Sequence, residues 1–319
     1  MTVFDRVRES CRQVAERARY VQVAADRIEP YARSLPLDHL ERPELDPRYH
    51  LIGPPEETLA YIIILDTVNF GSGYFPHLQK RPGLSGYFTI ASALKDYFEA
   101  YGPPDAETLV RLTPADCHRI FGQEPDEGPR SELMALFARA LNDLGRLLLG
   151  RFDGNFTRLV AAAGHRAERL VYILAEMPFF RDVARYDGLE VCFYKRAQLT
   201  CADLWLAFGG AGYGYFADID NLTIFADNLV PHVLRVDGVL VYDQALADRI
   251  DRGELIPASS PEEVEIRACA VHAAELIVAE LRRAGRPITA RELDYLLWNL
   301  GQEPKYKARP RHRTRTVFY

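Results

Sequence analysis

Apolar residues recur at intervals of three and four along most of this chain, and that period constrains the fold more than any other feature, because a helix gathers such residues onto one face. Val3, Val7, Cys11 and Val14 begin the pattern, so residues 2–34 open as an amphipathic helical segment. Related patterns return at 85–100, 131–151, 155–163 and 165–176, with Gly, Pro and Asp between them. Beyond Asp218 they occupy 222–226, 230–236, 243–251, 261–284 and 288–300, the last with Thr289 and Glu292 spaced as a capping box.

Two stretches need separate treatment. The Pro- and Asp-rich residues 36–55 read as a loop, followed at 56–69 by the run YIIILDTVNF, which suits a buried helix or a strand. Its acidic start after Pro54 and Pro55 favours a helix. In GLEVCFYKRA the β-prone Val191, Phe193 and Tyr194 predict a short extended segment near 189–195, ahead of a helix beginning near Ala197. The expected fold is mainly α. No repeat, low-complexity tract or long linker interrupts it, so residues 1–319 read as a single compact domain, undivided or in two helical lobes.

With 319 residues, 48% hydrophobic and 26% charged, the chain can bury a sizeable core. A formal net charge of -6 argues against a generic nucleic-acid binder and favours a small-molecule site. The five cysteines are scattered without ligand spacing, which reads as reduced, mostly buried thiols and no metal site. The opening MTVFDRVRES is charged where a signal peptide needs an apolar core, and no apolar run reaches the roughly 18 residues of a membrane span. A cytoplasmic location is expected.

Polar residues in apolar surroundings supply the candidates for chemistry. Asn69, in VNFGSGYF, could contact a ligand or cap a helix, and its Gly-Ser-Gly turn lacks both dinucleotide and Walker spacing. Lys195 and Arg196 stand where an extended segment becomes a helix, a place suited to a phosphate, although pairing with surface acids is the plainer reading. Asp227 precedes a helix that it could simply cap. On the 288–300 helix Asp294 and Trp298 share one face, with Tyr295 and Asn299 on the adjacent one. The tail KYKARPRHRTRTVFY carries six Lys/Arg and His312. Such a run is usually solvated or a nucleic-acid arm, but its apolar ending suggests docking.

The stretches EVCFYKRAQLTCADLW, NLTIFADN, EEVEIRACAVHAAELI and ELDYLLWNLGQ, followed by HRTRTVFY, resemble the queuosine salvage family in the same order. The run ending at Asn69 and Phe70 and residues 155–182 match as well, so the resemblance covers most of the chain from about His50 onward. It implies a compact helical fold similar to DNA glycosylases. It also implies cleavage of queuosine 5′-phosphate into queuine and ribose 5-phosphate, with queuosine 5′-phosphate and queuine as the small-molecule ligands and no metal or organic cofactor; the net acidity argues against direct tRNA binding.

Residue by residue, the resemblance places Asp227 at the sugar as the catalytic carboxylate, with Phe225, Asp294, Tyr295, His50, Asn69 and Phe70 around the base and nucleoside. Given such a substrate, Lys195, joined by Arg196 or by the C-terminal arginines, is expected to pair with the 5′-phosphate. Where relatives often carry Asp four residues after the Tyr, this chain has Asn299, which keeps a hydrogen-bonding group but removes a charge. GSGYF stands where relatives tend to have a bulkier aromatic pair. Two rival functions remain at this point: a tRNA-binding or tRNA-modifying protein, supported locally only by the basic tail, and a queuine carrier without turnover.

Overall fold

The computed structural model describes residues 1–37 and 45–319, so part of the expected 36–55 loop lies outside the described residues. Among the described residues the chain forms a mainly helical fold with two small antiparallel two-stranded sheets. It divides into two compact units. The first comprises Met1–Pro43, Asp182–Lys195 and Asp220–Arg315; the second comprises Glu44–Arg181, Arg196–Ile219 and Thr316–Tyr319.

The first unit is built around the helix Pro261–Arg283, against which Val3–Ala15 and Ala25–Ser34 pack. That helix buries Glu263, Glu265 and Arg267 along with its apolar residues. Buried charges of this kind must be paired to be tolerated, and these are. Glu265 Oε2 accepts the backbone N–H groups of Arg19, Tyr20 and Val21 at 2.9, 2.6 and 3.0 Å, while its Oε1 accepts the Tyr186 hydroxyl at 2.7 Å.

This carboxylate explains why 2–34 is not one helical segment. Its first helix ends at Ala15, and Val21–Val23 is a strand paired with the distant Leu240–Tyr242. The extended segment near 189–195 is the strand Leu189–Cys192, paired with Val183–Tyr186. Asp187 and Gly188 turn this hairpin with φ of 45° and 82°. An Asp-Gly pair with positive φ at both positions is the type I′ pattern. The helix expected near Ala197 begins two residues earlier, at Lys195.

The expected helix at 222–226 is absent, and the segment is buried without regular secondary structure. Side chains from elsewhere in the unit occupy its backbone: the Phe225 N–H donates to Asp294, and the Ala226 carbonyl accepts from Arg267. A backbone group engaged in this way is not available to a helical ladder.

The second unit gathers the apolar helix Pro55–Thr67, buried from Thr58 onward, with Gly86–Tyr101 and the long Pro129–Phe152. The helical option for YIIILDTVNF is therefore the one adopted. Ser85 caps one helix by accepting the Phe88 N–H, and Thr113 with Asp116 forms a capping box for Pro114–Ile120, a helix that periodicity did not reveal. All five cysteines are free and buried. Among the described residues no helix is long and apolar enough to cross a membrane.

Candidate active site

In the first unit, the 222–229 segment and the helix Ala290–Leu300 bring two carboxyl groups into one electrostatic neighbourhood. Thr289 and Glu292 start the helix with the expected capping box, which sets Asp294 on its buried side at 6% exposure. Asp294 Oδ1 accepts the Phe225 N–H at 2.7 Å. Burial pushes the Asp294 carboxyl up to about 7; the Phe225 N–H opposes that rise, the Asp227 carboxylate adds to it, and the Lys195 ammonium opposes it.

Asp227 is half-buried, and its Oδ1 accepts the N–H groups of Leu229 and Val230 at 2.7 and 3.2 Å. It does cap the following helix. The cap fixes one oxygen only, and among the described residues Oδ2 accepts no hydrogen bond, so the carboxylate is oriented and still has an oxygen to offer.

Lys195 is 7% exposed, yet its ammonium has no hydrogen-bond or ion-pair partner among the described residues. Its ammonium is not among the fully enclosed polar atoms, and an unpaired cation at the open end of a buried side chain marks a candidate ligand site. The turn that places it is held by Asp182, whose carbonyl accepts the N–H groups of Phe193 and Tyr194 at 3.0 and 3.2 Å. Asp182 Oδ2 takes the Lys195 N–H at 3.1 Å. Tyr194 adopts φ 49°, a left-handed conformation that a residue with a Cβ adopts only when its surroundings require it.

Of the other residues expected on this helix, Tyr295 is half-buried, whereas Asn299 is exposed. The basic tail is not a solvated arm over 311–315. Ile256 N–H donates to the Arg313 carbonyl at 2.9 Å, and the Arg313 guanidinium reaches the Gly253 carbonyl at 2.5 Å. Arg311 is exposed as a residue, yet desolvation lowers the pKa of its guanidinium, a drop that the Asp227 carboxylate opposes.

The remaining sequence candidates belong to the second unit. His50 is buried, and burial lowers its pKa below the ordinary histidine value. Its Nδ1 lies 3.1 Å from the Asp46 carbonyl, which can only accept, so Nδ1 carries the proton and Nε2 accepts the Tyr87 hydroxyl at 2.9 Å. Asn69 follows the helix end, and its Nδ2 donates to Asp66 Oδ1 at 3.3 Å. Phe70 is core, edge-on to Phe137 and Phe179.

Arg196 requires a correction, since the phosphate expectation does not match its surroundings. It is 1% exposed, its Nη1 donates to the Asp66 and Thr67 carbonyls at 3.0 and 2.8 Å, and its Nη2 donates to the Phe179 carbonyl. The rings of Phe70 and Phe180 lie 4.7 and 4.4 Å from its guanidinium carbon. A guanidinium so engaged is a structural cation. Tyr87 and Arg267, which sequence reasoning did not single out, take polar roles beside expected site residues. Only the second had a signal: a lone Arg on the apolar side of a long helix.

A mainly helical chain that sets a carboxyl titrating near neutrality beside a second carboxylate and an unpaired ammonium carries the parts of an acid–base catalytic site. The family model described as queuosine salvage protein matches residues 49–319. The chain belongs to the queuosine salvage protein family. It is 39% identical over 313 residues to a queuosine 5′-phosphate N-glycosylase/hydrolase of Sphaerobacter thermophilus, covering 97% of this chain and 96% of that protein. Relatives of the same description occur in Dictyostelium discoideum, at 35% identity over 83% of this chain and 79% of the relative, and in Mus musculus, at 32% over 98% of each.

Proposed function

We propose that the chain hydrolyses the N-glycosidic bond of queuosine 5′-phosphate, yielding queuine and ribose 5-phosphate. The observation that carries this reading is Asp294, raised to about 7 beside the Asp227 carboxylate in a member of this family. Breaking a bond to an anomeric carbon leaves positive charge on the sugar and negative charge on the departing base, so a site needs one stabilising carboxylate and one proton donor. Asp227 takes the first role and guides water, or the sugar itself, to its open oxygen. Asp294, protonated over much of the neutral range, takes the second. Because a 7-deazapurine has no N7 to protonate, the proton or hydrogen bond must go elsewhere on the base.

Lys195 pairs with the 5′-phosphate, and Arg311 is the member of the basic tail that joins it; the Arg196 contact is withdrawn for the reasons above. Phe225 and Tyr295 line the base, with His50, Asn69 and Asn299 as further candidates for polar contacts to the nucleoside. The family match runs through both units, which supports treating them as one functional domain. A cytoplasmic location fits five thiols that are all free. The free nucleotide, rather than tRNA, is the proposed substrate, in keeping with a net charge of -6.

The test is to follow queuine release from queuosine 5′-phosphate by chromatography. Wild type should turn over, and Asp227→Ala should lose about a thousandfold or more in kcat. Binding of queuine by wild type without any turnover would replace the hydrolase with a carrier.

A further inference from the structure

The Arg267 guanidinium lies between the two segments that carry Lys195 and Asp227. It is 1% exposed and grips Asp182 with two parallel bonds, Nη1 to Oδ1 at 3.0 Å and Nη2 to Oδ2 at 2.5 Å. Asp182 in turn holds the Phe193–Lys195 turn by its carbonyl and carboxylate. The Arg267 Nε donates at 3.0 Å to the carbonyl of Ala226, the residue before Asp227. Its carbon lies 3.9 Å from the centre of the Phe193 ring, so the turn is also stacked on the same cation.

We propose that Arg267 is a positioning residue that sets the spacing of Lys195 and Asp227, so that binding energy from the phosphate reaches the bond-breaking step. This rests on the nucleotide hydrolase reading above. The chemistry favours arginine over any other cation here. Only a planar fork can grip a carboxylate with two bonds and still direct a third N–H sideways to a carbonyl. A lysine keeps the charge but gathers its donors on one nitrogen, so it cannot grip both carboxylate oxygens side by side and reach the carbonyl as well. Binding energy from a remote group accelerates the reaction only if it holds the reacting centre in place. The Asp182–Arg267–Ala226 chain is a non-covalent route within this unit by which the Lys195 turn can do so.

The test measures kcat and KM for queuosine 5′-phosphate and for the dephosphorylated nucleoside, in wild type, Arg267→Lys and Asp182→Asn. In wild type the phosphate should raise kcat as well as lower KM. In Arg267→Lys the nucleotide kcat should fall about a hundredfold, towards the nucleoside value, while the KM advantage persists because Lys195 is intact. Asp182→Asn keeps an acceptor for the Lys195 N–H but weakens the paired grip, and should show the same convergence to a smaller degree. A folded Arg267→Lys protein, checked by circular dichroism and melting, that keeps the wild-type difference in kcat overturns the proposal. If that variant does not fold, Asp182→Asn decides in the same way. No base release by wild type overturns the hydrolase reading and this proposal with it, whereas turnover with an unchanged split in the variants overturns this proposal alone.

Discussion

Lys195 and Arg196 are neighbours in the chain, both cationic and both buried, yet the fold treats them oppositely. The boundary between the two units falls between them. On the second-unit side, Arg196 is surrounded by three backbone carbonyls and two aromatic faces. On the first-unit side, the Lys195 ammonium has no partner among the described residues, and its influence falls on Asp294. A cation whose guanidinium fork is taken up by carbonyls serves the fold; an ammonium left unpaired is available to an anion.

The largest expected effect that would break this comparison is on stability. Arg196→Met leaves three carbonyls without their donor in a dry interior and should cost about 3–5 kcal/mol in urea unfolding. The protein that remains folded should keep its preference for nucleotide over nucleoside. Loss of that preference would show that Arg196 contacts the phosphate after all.

Next comes the carboxyl that Lys195 faces. In the folded state Asp294 titrates at about 7 rather than at its ordinary 3.8, so the fold keeps a proton that the unfolded chain has already released. Its stabilising contribution is therefore complete below about pH 4 and is lost as pH rises through about 7, a change on the order of 4 kcal/mol at most. Melting temperatures of wild type should fall across that window, and those of Asp294→Asn should fall less. Equal slopes would mean that Asp294 is ionised in the folded protein.

Lys195→Met sharpens the comparison from the other side. Stability should stay within about 1 kcal/mol of wild type, because the variant removes a charge that the fold does not pair. The nucleotide preference in kcat/KM should drop about 10- to 100-fold, the contribution of a charge-assisted contact to phosphate. The smallest effect concerns pH. Lys195 holds the Asp294 pKa down, so its removal should move the alkaline limb of kcat upward, and only modestly because burial is the larger cause. A downward shift would contradict the role of Asp294 as the proton donor.

Much of the helical framework was legible in the chain. The capping box at Thr289 and Glu292, the acidic start of the YIIILDTVNF helix and the long apolar periods at 131–151 and 261–284 all correspond to observed helices. The hairpin was readable from Asp187–Gly188, though only its second strand was anticipated. Other misreadings share one cause. Residues 222–226 have helical spacing but form no helix, since Asp294 and Arg267 occupy their backbone. The opening segment breaks because Glu265, more than 240 positions along the chain, accepts the N–H groups of Arg19, Tyr20 and Val21.

The family and the roster of candidate residues came from the chain alone, since long motifs such as EVCFYKRAQLTCADLW and ELDYLLWNLGQ are properties of residue order. Helix starts came from it too, because a cap is made within three or four residues of the backbone it satisfies. What each charged candidate does was decided only by tertiary structure. Desolvation, the neighbouring Asp227 and the opposing Lys195 set the proton affinity of Asp294, and none of these is adjacent to it in the chain. Likewise, carbonyls and rings far away in the chain turned Arg196 into a structural cation while its neighbour stayed unpaired. Burial and pairing depend on which distant segments meet, and the local spacing of residues carries no record of that.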